Sequence, residues 1–359
     1  MSKSLLFIPD ISGFTKFVQT TEVEHSQHVI SELLEVLISA NTQELELAEV
    51  EGDALFFYKE GELPSQERLL AQIETMFTAF YGHLRLLEKN RICPCNACST
   101  APNLELKIVA HSGELQFIHV QGNRKPFGSQ VIEAHRLLKN SIESDNYALI
   151  SKELASDLEL PIYYYSKVFR FKRGIDSYDG KDVEYIFSLI DNKKLNLNSF
   201  EQPKKKSFEN PPNITVERNF AISAEGLLEY ITNYTYRHYW VKGVDEFKYN
   251  SNEVTRLGTE HVCVINGKHL NFTTVTKDVD PGKLVYGELT PNAPLINELY
   301  QFYIITPISD TSCHLTVDIH WETKSWFNKL AYYLVIGKFI RKNTLTALDG
   351  LSKFISERS

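Results

Sequence analysis

The sequence predicts an α+β chain of two domains, and three observations carry that prediction. Before residue 190, apolar patterns of strand and helix period follow one another in the order β-α-β-β-α-β with additions. Between Asp191 and Asn213 the patterning stops, and Asp, Asn, Lys and Ser accumulate around Lys204-Lys205-Lys206 and Pro211-Pro212. Beyond it lie several strand-like segments and one long helical pattern at the end. The expected division is a first domain over 1–190, a solvated linker over 191–213 and a second domain over 214–359.

In the first domain strands are expected at Leu5 to Pro9, Leu45 to Val50, Ala54 to Tyr58, Leu104 to His111 and Leu115 to Val120. Helices are expected from Ser26 to Ala40, Ser65 to Glu88 and Ser129 to Asn140. This order is the ferredoxin-like plan, in which the first and third strands are antiparallel neighbours. Asp10, after the first strand, and Asp53, at the hairpin before the third, should therefore meet at one edge of the sheet. In the second domain a strand at Ile214 to Ile222 leads into a short helix near Ala224 to Tyr234. The segment Leu315 to Glu322 alternates without a break, as a half-buried antiparallel strand does. With a final helix from Ser325 to Ser356, these elements describe a curved sheet wrapped around a helix, the plan that the resemblance given below for this domain names a helix-grip.

A chain of 359 residues is long enough to bury two cores. With 43% hydrophobic and 23% charged residues it is an ordinary globular composition, not a disordered or low-complexity one. Lys plus Arg is 38 against 46 for Asp plus Glu, so no broad basic surface is available and nucleic acid is not an expected partner. The first residues, Met1 to Phe14, fit neither a secretory signal nor an anchor. The apolar stretch Leu330 to Ile340 is interrupted by Gly337 and Lys338 and is too short for a membrane span. Five cysteines, an odd number, suit a reducing compartment better than a disulfide framework, so a cytoplasmic location is expected.

Two groups of residues carry chemistry. Paired carboxylates at a strand end and an adjacent hairpin are what a divalent ion bound to nucleotide phosphates requires, although aspartates in such places also serve simply as turn formers. Cys93, Cys95 and Cys98 are close enough in sequence to ligate one soft metal ion such as zinc, or to be a loop of three thiols. A fourth ligand is missing from the local sequence; His83, His111 or a second subunit could supply it.

The segment Phe7-Ile8-Pro9-Asp10-Ile11-Ser12-Gly13-Phe14-Thr15, followed by Glu51-Gly52-Asp53-Ala54, resembles the two metal-binding segments of the class III adenylyl and guanylyl cyclases. His111-Ser112-Gly113 and the run Gly128 to Leu137 fall where that family has two further motifs, so the resemblance covers roughly 1–190. It implies that Asp10 and Asp53 hold two Mg²⁺ or Mn²⁺ ions, with the Ile11 carbonyl as an additional ligand. It implies that Arg136 stabilises charge on the phosphates of a nucleoside triphosphate, and that the site forms between two copies arranged head to tail. The chain departs from the family at the base-recognition positions. Glu49 stands where cyclases carry a lysine, Lys125 where they carry an aspartate, and Ile132 where they carry an asparagine.

The segment Val216 to Ala224, with Tyr239-Trp240 and Arg256-Leu257-Gly258-Thr259, resembles the START-like superfamily of polyketide cyclase and Bet v 1 type over about 212–359. Trp240, Phe272, Tyr286, Phe302, Ile304, Val317, Ile319 and Trp321 are the residues that would line its cavity for a lipid or other apolar molecule, or else form plain core. The cysteines and the domain pair together resemble an uncharacterised bacterial two-domain family. The expected function is that of a divergent nucleotidyl cyclase regulated by an apolar ligand. The alternative is a non-enzymatic binding protein for such a ligand on a degenerate cyclase scaffold.

Overall fold

The strand that carries Asp10 is buried almost throughout, with Leu5, Leu6, Phe7, Ile8 and Ile11 all at 1% exposure or less, as a strand covered on both faces and both edges must be. In the computed structural model, which describes residues 2–199, 205–265, 267–291, 296–322 and 337–358, the chain forms two units. The first is 1–88 with 100–200, and the second is 89–99 with 201–359. The chain passes from the first unit to the second near residue 200. The segment 89–99, expected in the first domain, instead groups with the second. Asn90 exchanges hydrogen bonds with Leu257, accepting from its N–H at 2.8 Å and donating to its carbonyl at 3.2 Å, and Ile92 packs on the second unit's core.

The first unit's elements are β1 (Ser4–Ser12), α1 (Phe14–Thr20), α2 (Val23–Ser39), β2 (Glu46–Glu51), β3 (Ala54–Lys59) and α3 (Gln66–Lys89). After the short α4 (Asn96–Thr100) come β4 (Glu105–Gly113), β5 (Gln116–Val120), β6 (Asn123–Phe127), α5 (Ser129–Leu137), β7 (Tyr147–Ser151), α6 (Lys152–Asp157), β8 (Lys172–Tyr178) and β9 (Lys181–Leu189). The main sheet has the order β2-β3-β1-β4-β7-β9-β8, with β5 and β6 forming a separate ribbon. Its two outer strands show why one was legible and one was not. In β2, Glu46, Glu49 and Glu51 charge an exposed edge, yet Leu47 and Val50 keep a strand pattern; β8 is Lys-Arg-Gly-Ile-Asp-Ser-Tyr and has almost no apolar signal. On α3 the buried residues Leu69, Ile73, Met76, Phe77 and Phe80 recur at helical spacing along one face.

The second unit consists of β10 (Ile214–Phe220), α7 (Ala224–Thr232), α8 (Arg237–Trp240), β11 (Glu246–Lys248), β12 (Glu260–Ile265), β13 (Lys268–Val275), β14 (Leu284–Pro291), β15 (Glu298–Ser309), β16 (Ser312–Glu322) and α9 (Gly337–Ser356). All seven strands pair antiparallel in the order β10-β16-β15-β14-β13-β12-β11. Helix α7 starts at Ser223, whose hydroxyl accepts from the Gly226 N–H at 3.0 Å. Leu348, Leu351, Phe354 and Ile355 of α9 join Ile214, Val216, Leu315, Val317 and Ile319 of the sheet in one buried core. Close approach of α9 to α8 depends on Gly350, where a Cβ would lie 2.4 Å from the Trp240 carbonyl oxygen. The helix expected from Ser325 is described from Gly337; residues 323–336, and with them most of the stretch Leu330 to Ile340, lie outside the described residues. Among the described residues no helix is long and apolar enough to cross a membrane.

Candidate functional site

Proline and glycine set the geometry around the two aspartates. Strand β1 runs on to Ser12, three residues past the expected end, and pairs with β3 from Leu5 to Phe7 and again at Asp10↔Ala54. Pairing lapses at Ile8 and Pro9, where Pro9 has no N–H to donate. It resumes where the Ile11 N–H donates to the Asp53 carbonyl at 3.0 Å. Asp53 sits in the two-residue turn between β2 and β3, whose first position, Gly52, takes φ 70°. The two aspartates are thus neighbours across the β1–β3 pair at one end of the sheet.

Burial raises the Asp10 carboxyl above its ordinary range; Lys107 opposes that and the charge of Asp53 adds to it. Burial likewise raises Asp53, its backbone hydrogen bond and Lys107 working against the shift. Lys107, paired with Asp10 in the β1–β4 register, holds its ammonium 3.5 Å from Asp10 Oδ2. It was not singled out in the sequence, and its signal is only this register. Two partly desolvated carboxylates beside one cation make a place where further positive charge is stabilised.

The other cyclase-like positions are arranged differently. Glu49 and Lys125 meet, Oε1 to Nζ 3.1 Å, as a half-exposed ion pair. Ile132 is 54% exposed. Arg136 donates to Asp179 of the β8–β9 turn. A cleft of about 460 Å³ is lined by Lys3, Ser112, Gly113, Gln116, Ser129 and Gln130 and contains neither Asp10 nor Asp53.

Cys93, Cys95 and Cys98 come together, their sulfurs within 4.8 Å of one another. The two histidines named as a fourth ligand have other partners. His83 Nε2 lies 2.9 Å from Glu32 Oε2, and His111 uses both ring nitrogens, 2.8 Å from the Ser151 hydroxyl and 2.7 Å from Gln130 Oε1.

In the second unit, Trp240, Tyr286, Val317 and Ile319 are core residues and Trp321 packs against them. Phe302 and Ile304 lie on the opposite face. The β14–β15 register pairs Tyr286 with Tyr303, so strand alternation turns Tyr303 and Ile305 inward and sends Phe302 to pack edge-on against Phe208 at 5.7 Å. Phe272 stacks on His261 at 4.8 Å.

The inner face also holds a charged group that sequence pattern did not reveal. Arg237 Nη2 donates to Glu288 Oε1 at 2.5 Å, and the Tyr286 hydroxyl donates to the same oxygen at 2.6 Å. Burial alone would raise Glu288, yet Arg237, His261 and Tyr286 hold it below the usual carboxylate range. His261 Nε2 stands 3.7 Å from that oxygen, too far for a hydrogen bond. Its two ring nitrogens make no hydrogen bond, and burial, against Glu288 and with Arg237, lowers its pKa to about 4.

Between about pH 4 and the unfolded-state value near 6.5, the unfolded chain binds the His261 proton and the folded one does not. Its contribution is therefore complete above about pH 6.5 and lost as the pH falls toward 4, by at most about 3 kcal/mol. His320, also lowered to about 4, acts in the same direction. Thermal melts between pH 4 and 8 should show stability rising with pH, with a smaller slope in His261→Phe. Equal slopes in variant and parent would remove His261 from the account.

A family described as "protein of unknown function (DUF2652)" matches residues 30–147. An uncharacterized protein of Mycobacterium tuberculosis is 32% identical over 130 residues, 36% of this chain and 60% of that protein, so the chain spans about three fifths of the curated relative's length. Similar solved structures include a dimeric guanylyl cyclase domain of the RhoGC fusion protein from the aquatic fungus Blastocladiella emersonii (15% identity, TM-score 0.39, 53% of this chain and 97% of that one). Another is the adenylyl cyclase CyaB from P. aeruginosa (18% identity, TM-score 0.36, 53% of this chain and 94% of that one).

Proposed function

We propose that the first unit binds a nucleoside triphosphate together with Mg²⁺ or Mn²⁺ and closes it to a cyclic nucleotide, in the manner of a divergent class III cyclase. The observation that carries this reading is the meeting of Asp10 and Asp53 at one end of the sheet, held by the Ile11 to Asp53 backbone bond of 3.0 Å. The Asp10 and Asp53 carboxylates, with the Ile11 carbonyl as a further ligand, would hold such hard divalent ions, which would supply Lewis-acid polarisation of the triphosphate; the closure itself releases pyrophosphate and the hydroxyl proton. Arg136 spreads positive charge over the phosphates of a site completed by a second copy, head to tail. Zinc, a softer ion, belongs at the three thiols and not at these carboxylates. The second unit, read as START-like, would sense a lipid or other apolar molecule and regulate the first. The whole would act in the cytoplasm, where thiols stay reduced.

A second reading, a non-enzymatic binding protein for an apolar ligand, is favoured by the exposed Ile132 and by Glu49 and Lys125 already satisfying each other. The two readings part in one experiment. Purified protein is incubated with Mn²⁺ and each of the four ribonucleoside triphosphates, with cyclic products sought by mass spectrometry and melting temperature followed in parallel. A nucleotide at about 100 times its Kd should add about 2.7 kcal/mol, a rise of several degrees. That rise should vanish in Asp10→Ala and in Asp53→Ala; an equal rise in the double variant would sink the assignment.

A further inference from the structure

Helix α3 ends at Lys89; a loop with Pro94 in it carries Cys93 and Cys95 and runs into α4, which holds Cys98. The loop is fixed at its start by the two hydrogen bonds between Asn90 and Leu257 and by the packing of Ile92 in the second unit. It is fixed again at its end, where the Ser99 N–H donates to the Cys95 carbonyl at 3.0 Å and opens α4. Between these anchors stand three sulfurs, all within 4.8 Å of one another. A tetrahedral ion with metal–sulfur bonds of about 2.3 Å places its sulfurs roughly 3.8 Å apart, so the cluster needs only small side-chain adjustments to close on one ion.

The local backbone is arranged for charge on sulfur. The Cys98 N–H donates to Cys95 Sγ at 3.4 Å, across a Cys-x-x-Cys turn at the start of a helix. Such a bond stabilises the thiolate more than the thiol. Cys98 is buried while Cys93 and Cys95 are half-buried. A soft divalent ion is the cation that three cysteine sulfurs gathered this closely select.

We propose that Cys93, Cys95 and Cys98 bind one zinc or similarly soft divalent ion as thiolates, and that the ion fixes the fold of the segment from Cys93 to Cys98. Binding forms three metal–sulfur bonds and releases the three thiol protons to solvent; no electron is transferred. The three sulfurs fill three positions of a tetrahedral ion and leave a complex of net charge −1. This site is independent of any nucleotide binding at Asp10 and Asp53, which offer only oxygen ligands.

The test uses the full chain, purified anaerobically, stripped with a chelator and titrated with Co²⁺ and then Zn²⁺. The expected result is one equivalent of Co²⁺ with an intense near-ultraviolet sulfur-to-cobalt band and the visible bands of a tetrahedral ion, displaced stoichiometrically by Zn²⁺. Cys93→Ser and Cys95→Ser should each remove about a third of the sulfur band and weaken binding at least about tenfold, with Asp10→Asn leaving the band intact. Chelation should lower the melting temperature by about 5 °C or more. Cobalt bound without the sulfur band, or a band unchanged in both serine variants, overturns the proposal. So does the absence of any stoichiometric ion. Should the serine variants fail to fold, the sulfur band of the parent protein decides alone, because oxygen ligands do not produce it.

Discussion

Glu288→Gln is expected to cost the second unit about 3–5 kcal/mol, read as a lower urea midpoint with an unchanged m-value. Both side chains of the Glu288–Arg237 pair are only 5% exposed, so neither charge has water to fall back on. Removing the carboxylate leaves the guanidinium buried with its remaining bonds to the Ile231 carbonyl at 3.0 Å and the Tyr286 hydroxyl at 3.3 Å. It also leaves the Tyr286 hydroxyl, which donates to Glu288 at 2.6 Å, facing a weaker acceptor. Arg237→Met should be about as damaging, because it strands the carboxylate instead. The double variant Arg237→Met with Glu288→Leu should recover at least half of the loss, since no buried charge remains. Recovery stays incomplete because the Tyr286 hydroxyl exchanges a carboxylate for the weaker Tyr234 hydroxyl, 3.0 Å away. A single variant within about 1 kcal/mol of the parent would show that water reaches the pair and that its burial contributes little.

How much of this was legible depended on whether a residue announces itself along the chain or only across it. Strand β1 was readable from its apolar run, and the meeting of Asp10 with Asp53 followed from one topological rule about first and third strands. Lys107 was not readable, because it reaches Asp10 only through the β1–β4 register. The same holds for the second unit. Val317 and Ile319 alternate on β16 and lie in the core beside Tyr303 and Ile305, whereas Phe302 and Ile304 fall one residue out of phase with Tyr303, a phase that only the strand register reveals. Arg237, His261 and Glu288 come from a short helix and two non-adjacent strands, and in sequence each looks like an ordinary surface residue. The cysteine cluster was visible as spacing, whereas the anchoring of its loop by Leu257 depends on a contact 167 positions away.

If the first unit acts as proposed, Asp10→Ala and Arg136→Ala chains, each inactive alone, should regain about a quarter of parental turnover when mixed in equal amounts and allowed to exchange subunits. Each single change removes charge stabilisation of the phosphates, a loss of at least about 10²–10³-fold. In a head-to-tail dimer every site draws its aspartates from one chain and its arginine from the other. About half of the randomly formed dimers are mixed, and each of these contains one intact site and one doubly defective site. Arg136 must first leave Asp179, but that pair is 40% and 75% exposed at its two ends, and such surface pairs are held by less than about 1 kcal/mol. Asp179→Asn should therefore leave turnover unchanged or raise it slightly, and should not mimic Arg136→Ala. Mixed chains that dimerise without regaining activity would place Asp10 and Arg136 in one subunit's site or in none. A chain that stays monomeric with Mn²⁺ and triphosphate present would instead leave the two halves of the site unjoined, which is the outcome required by the reading of this unit as a scaffold for a protein that binds an apolar ligand.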